Sequence, residues 1–296
     1  MNCIISMVTR LYSHKLDGYL TNRVLLIITI FLPGVLFAHG DLDERIAGKT
    51  SEIAENPNDF NLYYERGLLY QEHKEYTNAL EDYLKSRSLG NTDKAINYSI
   101  AEVHYLSEDY NKALKSIDSY LDMDSKDVKG KKLEAQILFR LQLYKRSVEA
   151  YRYVINNMID IRPEDILEYG DIILAENDEN YKGAIEAIES GLAKLGPHTL
   201  SLQLKKLDYL KASDQIEKAL EQYNYFILQY DRKEFWYYKK AKYLSEVNRP
   251  DEAVVSLKLA TIAIEQLDTK FKNMTPVIEL KEQIKNLENF INNHKL

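Results

Sequence analysis

The sequence predicts an all-α protein: a solenoid of about six helix-turn-helix units with a capping helix at each end. Three observations predict it. Small residues recur in register at Ala79, Ala113, Ser147, Ala184, Ala219 and Ala253, with spacings of 34, 34, 37, 35 and 34 residues. Random sequence does not hold such a register six times, and a period of this length marks stacked repeats. Around each small residue, apolar positions fall three and four apart, the period of an α-helix with one buried face. With 6 prolines and 11 glycines in 296 residues, the chain has little material for long linkers.

The N-terminal 38 residues stand outside this pattern. Val24–Ala38 reads VLLIITIFLPGVLFA, 15 residues without a charge, preceded by Arg23 and, further upstream, Arg10 and Lys15. The run is short for a membrane span, Pro33-Gly34 breaks it near its end, and Ala38 is small where a signal peptidase cuts. Residues 1–38 therefore read as a secretory signal, with an uncleaved N-terminal anchor as the alternative; Met7 would also open such a signal. Cleavage would remove Cys3, the only cysteine, so the mature chain could form no disulfide and no cysteine-based zinc site. The expected location is exported: periplasmic, cell-surface or secreted from a bacterium.

Residues 39–57 form the first capping helix, with Leu42–Asn56 continuous and Pro57 ending it. The first full unit, Phe60–Asn91, shows the whole design. Tyr63, Gly67 and Tyr70 share one helical face, a polar turn follows at His73-Lys74-Glu75, and Ala79, Tyr83 and Ser86 share a second face. Gly67 and Ala79 sit where the two helices cross, where a larger side chain would push the axes apart. The second unit carries Ala101, Tyr110, Ala113 and Tyr120; the third Ala135, Leu138, Tyr144 and Tyr151. The fourth has Gly170 and Ala184, with about two extra residues in the Glu176–Asn180 turn. The fifth has Leu207, Ala219 and Tyr223, and the sixth Tyr237, Ala241, Leu244, Ala253 and Ala260. Its second helix opens at Pro250-Asp251-Glu252, a proline in the first turn with acids beside the helix N-terminus. The repeats span residues 58–268. Residues 269–296 form the C-terminal cap, with Val277, Leu280, Ile284, Leu287 and Ile291 on one face and Lys281, Glu282, Lys285 and Glu288 on the other, as a solenoid end requires.

The first unit resembles the tetratricopeptide-repeat (TPR) family, whose pattern is an aromatic, a Leu-Gly, a Tyr, an Ala, an aromatic, an Ala and a Pro at set offsets. Those offsets fall here on Tyr63, Arg66-Gly67, Tyr70, Ala79, Tyr83, Ser86 and Asn91; Arg66, Ser86 and Asn91 depart from it. The segment HGDLDERI followed by IAENPNDFNLYYERG looks like exported bacterial TPR proteins. The resemblance implies a right-handed α-solenoid in which the first helix of each unit lines a concave, protein-binding groove. The groove positions then fall on Tyr64, Leu68, Tyr98, Glu102, Tyr105, Lys132, Gln136, Phe139, Asp208, Lys211, Phe235, Tyr238 and Lys242. The family's clamp of Lys and Asn for a terminal carboxylate is absent, since its positions carry Tyr64, Leu68 and Ser99.

A net charge of −7, from 39 Lys+Arg and 46 Asp+Glu, argues against nucleic acid as a partner. No P-loop, G-x-S-x-G, H-E-x-x-H or glycine-rich dinucleotide turn is present. The six histidines (14, 39, 73, 104, 198 and 294) fall at no ligand spacing, and His104 reads as a packed helix-face residue. Glu176, Asp178 and Glu179 fall in a turn, where two carboxylates are not held in a pocket. The expectation is therefore no catalytic residue, no metal and no cofactor, and a protein or peptide partner; a membrane enters only through an uncleaved N-terminal segment. One alternative is a membrane-anchored periplasmic adaptor. Another is an exported copper enzyme that would use His39 at a newly cut terminus.

Overall fold

The computed structural model describes residues 41–293. The segment read as an N-terminal signal or anchor, His39 and the histidine at 294 lie outside the described residues. Within them the secondary structure is entirely helical. Helix α1 covers 41–55. Six pairs follow: α2 Phe60–Glu72 and α3 Tyr76–Ser88; α4 Lys94–Leu106 and α5 Tyr110–Met123; α6 Val128–Arg140 and α7 Tyr144–Asn157; α8 Pro163–Glu176 and α9 Tyr181–Leu195; α10 Leu200–Ala212 and α11 Ile216–Gln229; α12 Lys233–Glu246 and α13 Pro250–Glu265. The chain closes with a single turn, α14 Thr269–Lys272, and a long helix, α15 Thr275–Asn293. No described helix is long and apolar enough to cross a membrane. Two compact units divide this array, one ending at Ile137 and the other beginning at Leu138, so that α6 contributes residues to both.

The turn inside each pair repeats as closely as the helices do. Lys74, Glu108, Gln142, Asp214 and Asn248 all adopt left-handed backbone, with φ between 52° and 65°. In each case the next amide donates back across the helix end, as in Glu75 N to Tyr70 O at 2.8 Å and Asn248's successor Arg249 N to Leu244 O at 2.8 Å. This closes the last turn of the first helix with a Schellman-type bond and satisfies carbonyls that would otherwise lack partners. The fourth pair is the exception. Of its two extra residues, one lengthens α8 and one lengthens the turn, and Asn177 is extended at φ −149° rather than left-handed. Asn180 takes over, accepting the Gly183 amide at the start of α9.

The first helices have their own periodic signal. Asp59, Asp93 and Asp127 each accept a first-turn amide, from Asn61, Ala95 and Gly130 at 2.9, 2.8 and 2.6 Å. These caps lie 34 residues apart and each removes an orphan donor while placing a negative charge at a helix N-terminus.

In the first unit the core is Ala79, Tyr83, Ile96, Ile100 and Val103, with Tyr64, Tyr70, Tyr76 and Leu80 packed on it. Gly67 faces this core so closely that a Cβ built on it would lie 2.6 Å from Tyr83 Cε1 and 3.3 Å from the Ala79 carbonyl. Helix α1 is tied on by Ile53, which is buried, and by Lys49 on Glu65 at 2.7 Å. In the second unit the largest fully buried side chains include Tyr151, Ile166, Ile188, Leu202, Leu210 and Phe226. There α15 packs on α12 and α13 through buried Val277, Leu280, Ile284 and Ile291.

The three departures from the repeat pattern in the first pair prove to be partnered. Arg66 forms two parallel bonds to buried Asp82, Nε and Nη2 each at 2.7 Å, and a third to Thr50 Oγ1 at 3.0 Å. Ser86 donates to the Phe60 carbonyl at 2.7 Å, and Asn91 donates to Ser86 Oγ at 3.0 Å while accepting the Asp93 amide. A buried polar chain thus replaces the apolar contact and the proline of the common pattern, with each buried group satisfied.

Candidate functional site

The sequence-derived positions lie on the first helices α2, α4, α6, α10 and α12, and each unit gathers its own set. In the first unit the faces of α2 and α4 adjoin. Tyr64 Oη lies 3.3 Å from Ser99 Oγ, and its ring packs on Tyr83 at 5.6 Å, so Tyr64 serves the core as well as the surface. Leu68 is 42% exposed. On α4, Tyr98, Glu102 and Tyr105 follow one another at helical spacing and are all half-buried.

A connected set of hydrogen bonds fixes this patch. Tyr83 Oη donates to Gln71 Oε1 at 2.8 Å; Gln71 Nε2 donates to Glu102 Oε2 at 2.7 Å; Tyr98 Oη donates to Glu102 Oε1 at 3.2 Å. The rigid end of the chain is Tyr83, which is fully buried. Both tyrosines are held protonated above the ordinary range, chiefly by burial, with Glu102 contributing to each. They act as neutral donors at any physiological pH. Tyr98 also stands edge-on to buried Tyr120 at 5.6 Å, whose hydroxyl burial pushes to about 12. Lys129 Nζ sits 4.0 Å from the Tyr98 ring centre, a cation–π distance. Tyr105 leans on Tyr110 with ring centres 5.8 Å apart. Lys132 and Gln136, half-buried on α6, complete the set in this unit.

In the second unit Phe139 leans on Tyr144 at 5.7 Å, the same contact one repeat later. Lys211 lies 5.2 Å from the Tyr243 ring centre and 4.0 Å from Glu246, which shows that the faces of α10 and α12 adjoin. Asp208 and Lys242 are exposed. Phe235 carries the Arg232 guanidinium over its ring at 5.2 Å, and Tyr238 is half-buried, its hydroxyl shifted upward by burial. Sequence reasoning named no residue on α8. The structure supplies Asp171 there, which accepts from Lys205 Nζ at 2.9 Å and Tyr209 Oη at 3.2 Å. The signal was present: Asp171 follows Gly170 as Leu68 follows Gly67 and Glu102 follows Ala101.

Other features lie apart from these faces. A cleft of about 700 Å³ is lined by Lys182, Glu186, Glu189, Lys206, Gln215 and Gln222, among others, between α9, α10 and α11, and takes in none of the named positions. No group of three or more His, Cys, Asp or Glu among the described residues could hold a metal ion. His104 is half-buried on α4, its protonation disfavoured mainly by burial.

Consecutive helix pairs with a glycine or alanine at each crossing and, in five of the six, a left-handed closing residue define the architecture of a TPR repeat protein. Known structures agree. The C-terminal part of a TPR repeat-containing protein from Cytophaga hutchinsonii is similar with a TM-score of 0.60 at 17% identity, over 83% of this chain and 97% of that one. A tetratricopeptide repeat protein from Parabacteroides merdae is similar with a TM-score of 0.51 at 14% identity, over 87% of this chain and 96% of that one. At these identities the likeness is one of fold. No protein-family model and no curated protein matches the chain.

Proposed function

We propose that the protein is an interaction module without catalytic chemistry of its own, which binds a protein or peptide along its first-helix faces. The observation that carries this reading is the aromatic lining of those faces. Tyr98, Tyr105, Phe235 and Tyr238 are held half-buried on regular helices, so their rings offer contact area with little rotamer freedom left to lose. Charged neighbours such as Glu102, Asp208 and Lys242 surround them. Rigid aromatics set among polar residues are the composition that gives protein interfaces their strongest contacts. We propose further that the module works outside the cytoplasm, as a scaffold or adaptor of a bacterial envelope; the uncharged run Val24–Ala38 supports export.

A photo-crosslinking amino acid placed at Tyr105 and at Tyr238 tests the binding face, with Leu228 and Val255, well exposed on second helices, as controls. The first two positions are expected to capture a partner from living cells and the controls not to. Capture from the controls alone would overturn the assignment. The mass of the protein recovered from its own cells tests export: loss of residues 1–38 is the expected result, and an intact chain resistant to carbonate extraction would instead identify an anchored adaptor.

A further inference from the structure

The hydrogen-bonded chain on the first unit ends on a carboxylate, Glu102, whose hydrogen bonds among the described residues come from Gln71 and Tyr98. Each oxygen takes one, and both donors are neutral. No described cationic group lies within ion-pair distance of it. Lys129, one of the cations beside this patch, is directed to the ring of Tyr98. The corresponding acid of the second unit is arranged differently, since Asp171 is paired with Lys205 at 2.9 Å.

A half-buried carboxylate held only by neutral donors is partly desolvated without an ionic partner, and an arriving cation recovers that cost. The surroundings suit a long cationic side chain. Tyr98 lies four residues before Glu102 and Tyr105 three after it, so on a helix both rings flank the carboxylate on one face. Leu68, exposed on adjoining α2, supplies apolar wall for the methylenes of such a side chain. The remaining hydrogen-bond capacity of the carboxylate accepts the head group.

We infer that Glu102, oriented by Gln71 and Tyr98 and flanked by Tyr105 and Leu68, receives an arginine or lysine side chain of the protein partner. This rests on the binding reading above and adds the chemistry of the ligand to it. Gln71 is a positioning residue, fixed in turn by Tyr83, while Glu102 makes the contact. The polarity is opposite to that of the family's clamp for a terminal carboxylate, whose Lys and Asn positions are here Tyr64, Leu68 and Ser99.

The test uses the full chain and arrays of nine-residue peptides amidated at the C-terminus, alike except for Arg, Lys, citrulline or Glu at the centre. Citrulline keeps the shape of arginine and removes its charge. Wild-type protein is expected to retain Arg and Lys peptides about tenfold or more over citrulline, the worth of a charged hydrogen bond. Glu102→Gln, which keeps the shape and the Gln71 and Tyr98 neighbours, is expected to abolish that preference while leaving helicity unchanged. A preference that survives Glu102→Gln, the absence of any preference, or no retention at all overturns the inference. The broader binding reading is judged separately, by crosslinking from Tyr238 in the other unit, which does not depend on Glu102.

Discussion

Gly67→Ala isolates how closely the first pair is packed. Glycine inside a helix is about 1 kcal/mol less favourable than alanine, so propensity alone says the change stabilises. The tertiary structure says otherwise. The new Cβ would meet Tyr83 Cε1 at 2.6 Å and Cδ1 at 2.7 Å, where carbon atoms normally stand roughly 3.5–4.0 Å apart. The ring must retreat by about 1 Å, and it has nowhere to go: Tyr83 is fully buried, bonded to Gln71 and packed against Tyr64. Overpacking of this kind costs ~1–3 kcal/mol, so the net effect is a loss of about 1 kcal/mol. Gly48→Ala is the control. Gly48 is exposed within α1, and a Cβ there meets nothing within 4 Å, so that change should stabilise by up to ~1 kcal/mol. Urea denaturation of the full chain followed by circular dichroism reads both signs, and hydrogen exchange of the α2 and α3 amides localises the effect. In a Tyr83→Leu background, which removes the offending ring carbons, the Gly67→Ala penalty should disappear. A Gly67→Ala protein as stable as the parent, with Tyr83 intact, would refute the reasoning.

Three further outcomes follow from the structure. Gln142→Gly relieves a left-handed side-chain residue, at φ 59°, and should stabilise by about 0.5 kcal/mol; Asn177→Gly, at φ −149°, should destabilise, and thermal melts distinguish the two. Arg66→Leu restores the leucine of the repeat pattern yet strands the buried Asp82 carboxylate, at a cost of about 2–3 kcal/mol; Arg66→Leu with Asp82→Leu should recover most of it in the same denaturation assay. At alkaline pH, burial first of all raises the hydroxyls of Tyr83, Tyr98, Tyr120, Tyr151, Tyr209 and Tyr223 above 10.0. The folded chain then binds more protons than the unfolded one above pH 10, so their stabilisation is complete below that pH and is lost as pH rises, for Tyr120 between 10.0 and about 12. Helicity should fall together with the last, buried fraction of the tyrosinate absorbance, and complete tyrosine ionisation with helicity intact would contradict it.

The fold was legible because its signals are local and repeated. Six small residues in register, an aromatic residue three places before four of them, and proline with acids at Pro250-Asp251-Glu252 define helices and crossings without reference to distant parts of the chain. The same register held further signals that went unused: Asp59, Asp93 and Asp127 cap helices at the same period, and Lys74, Glu108 and Gln142 mark the closing turns. None of those turn residues is glycine, so residue type alone did not announce a left-handed conformation. The candidate face was legible in outline, because helical periodicity separates packing from surface positions.

What the sequence by itself determined is therefore the period, the helix pairs and the small residues at their crossings, since each follows from spacing along one chain. What only the tertiary structure decided is how side chains from different helices meet. Arg66 looked like a defect until Asp82, sixteen residues away, was found bound to both arms of its guanidinium. Ser86 and Asn91 looked like losses until they closed on Phe60 and Asp93. Tyr98 and Glu102 could be placed on one face of α4 from spacing, but the neutral donation from Gln71, anchored by Tyr83, comes from another repeat. Hydrogen bonds form where packing brings donors and acceptors within about 3 Å, and that distance is set by the stacking of helices, which no local pattern encodes.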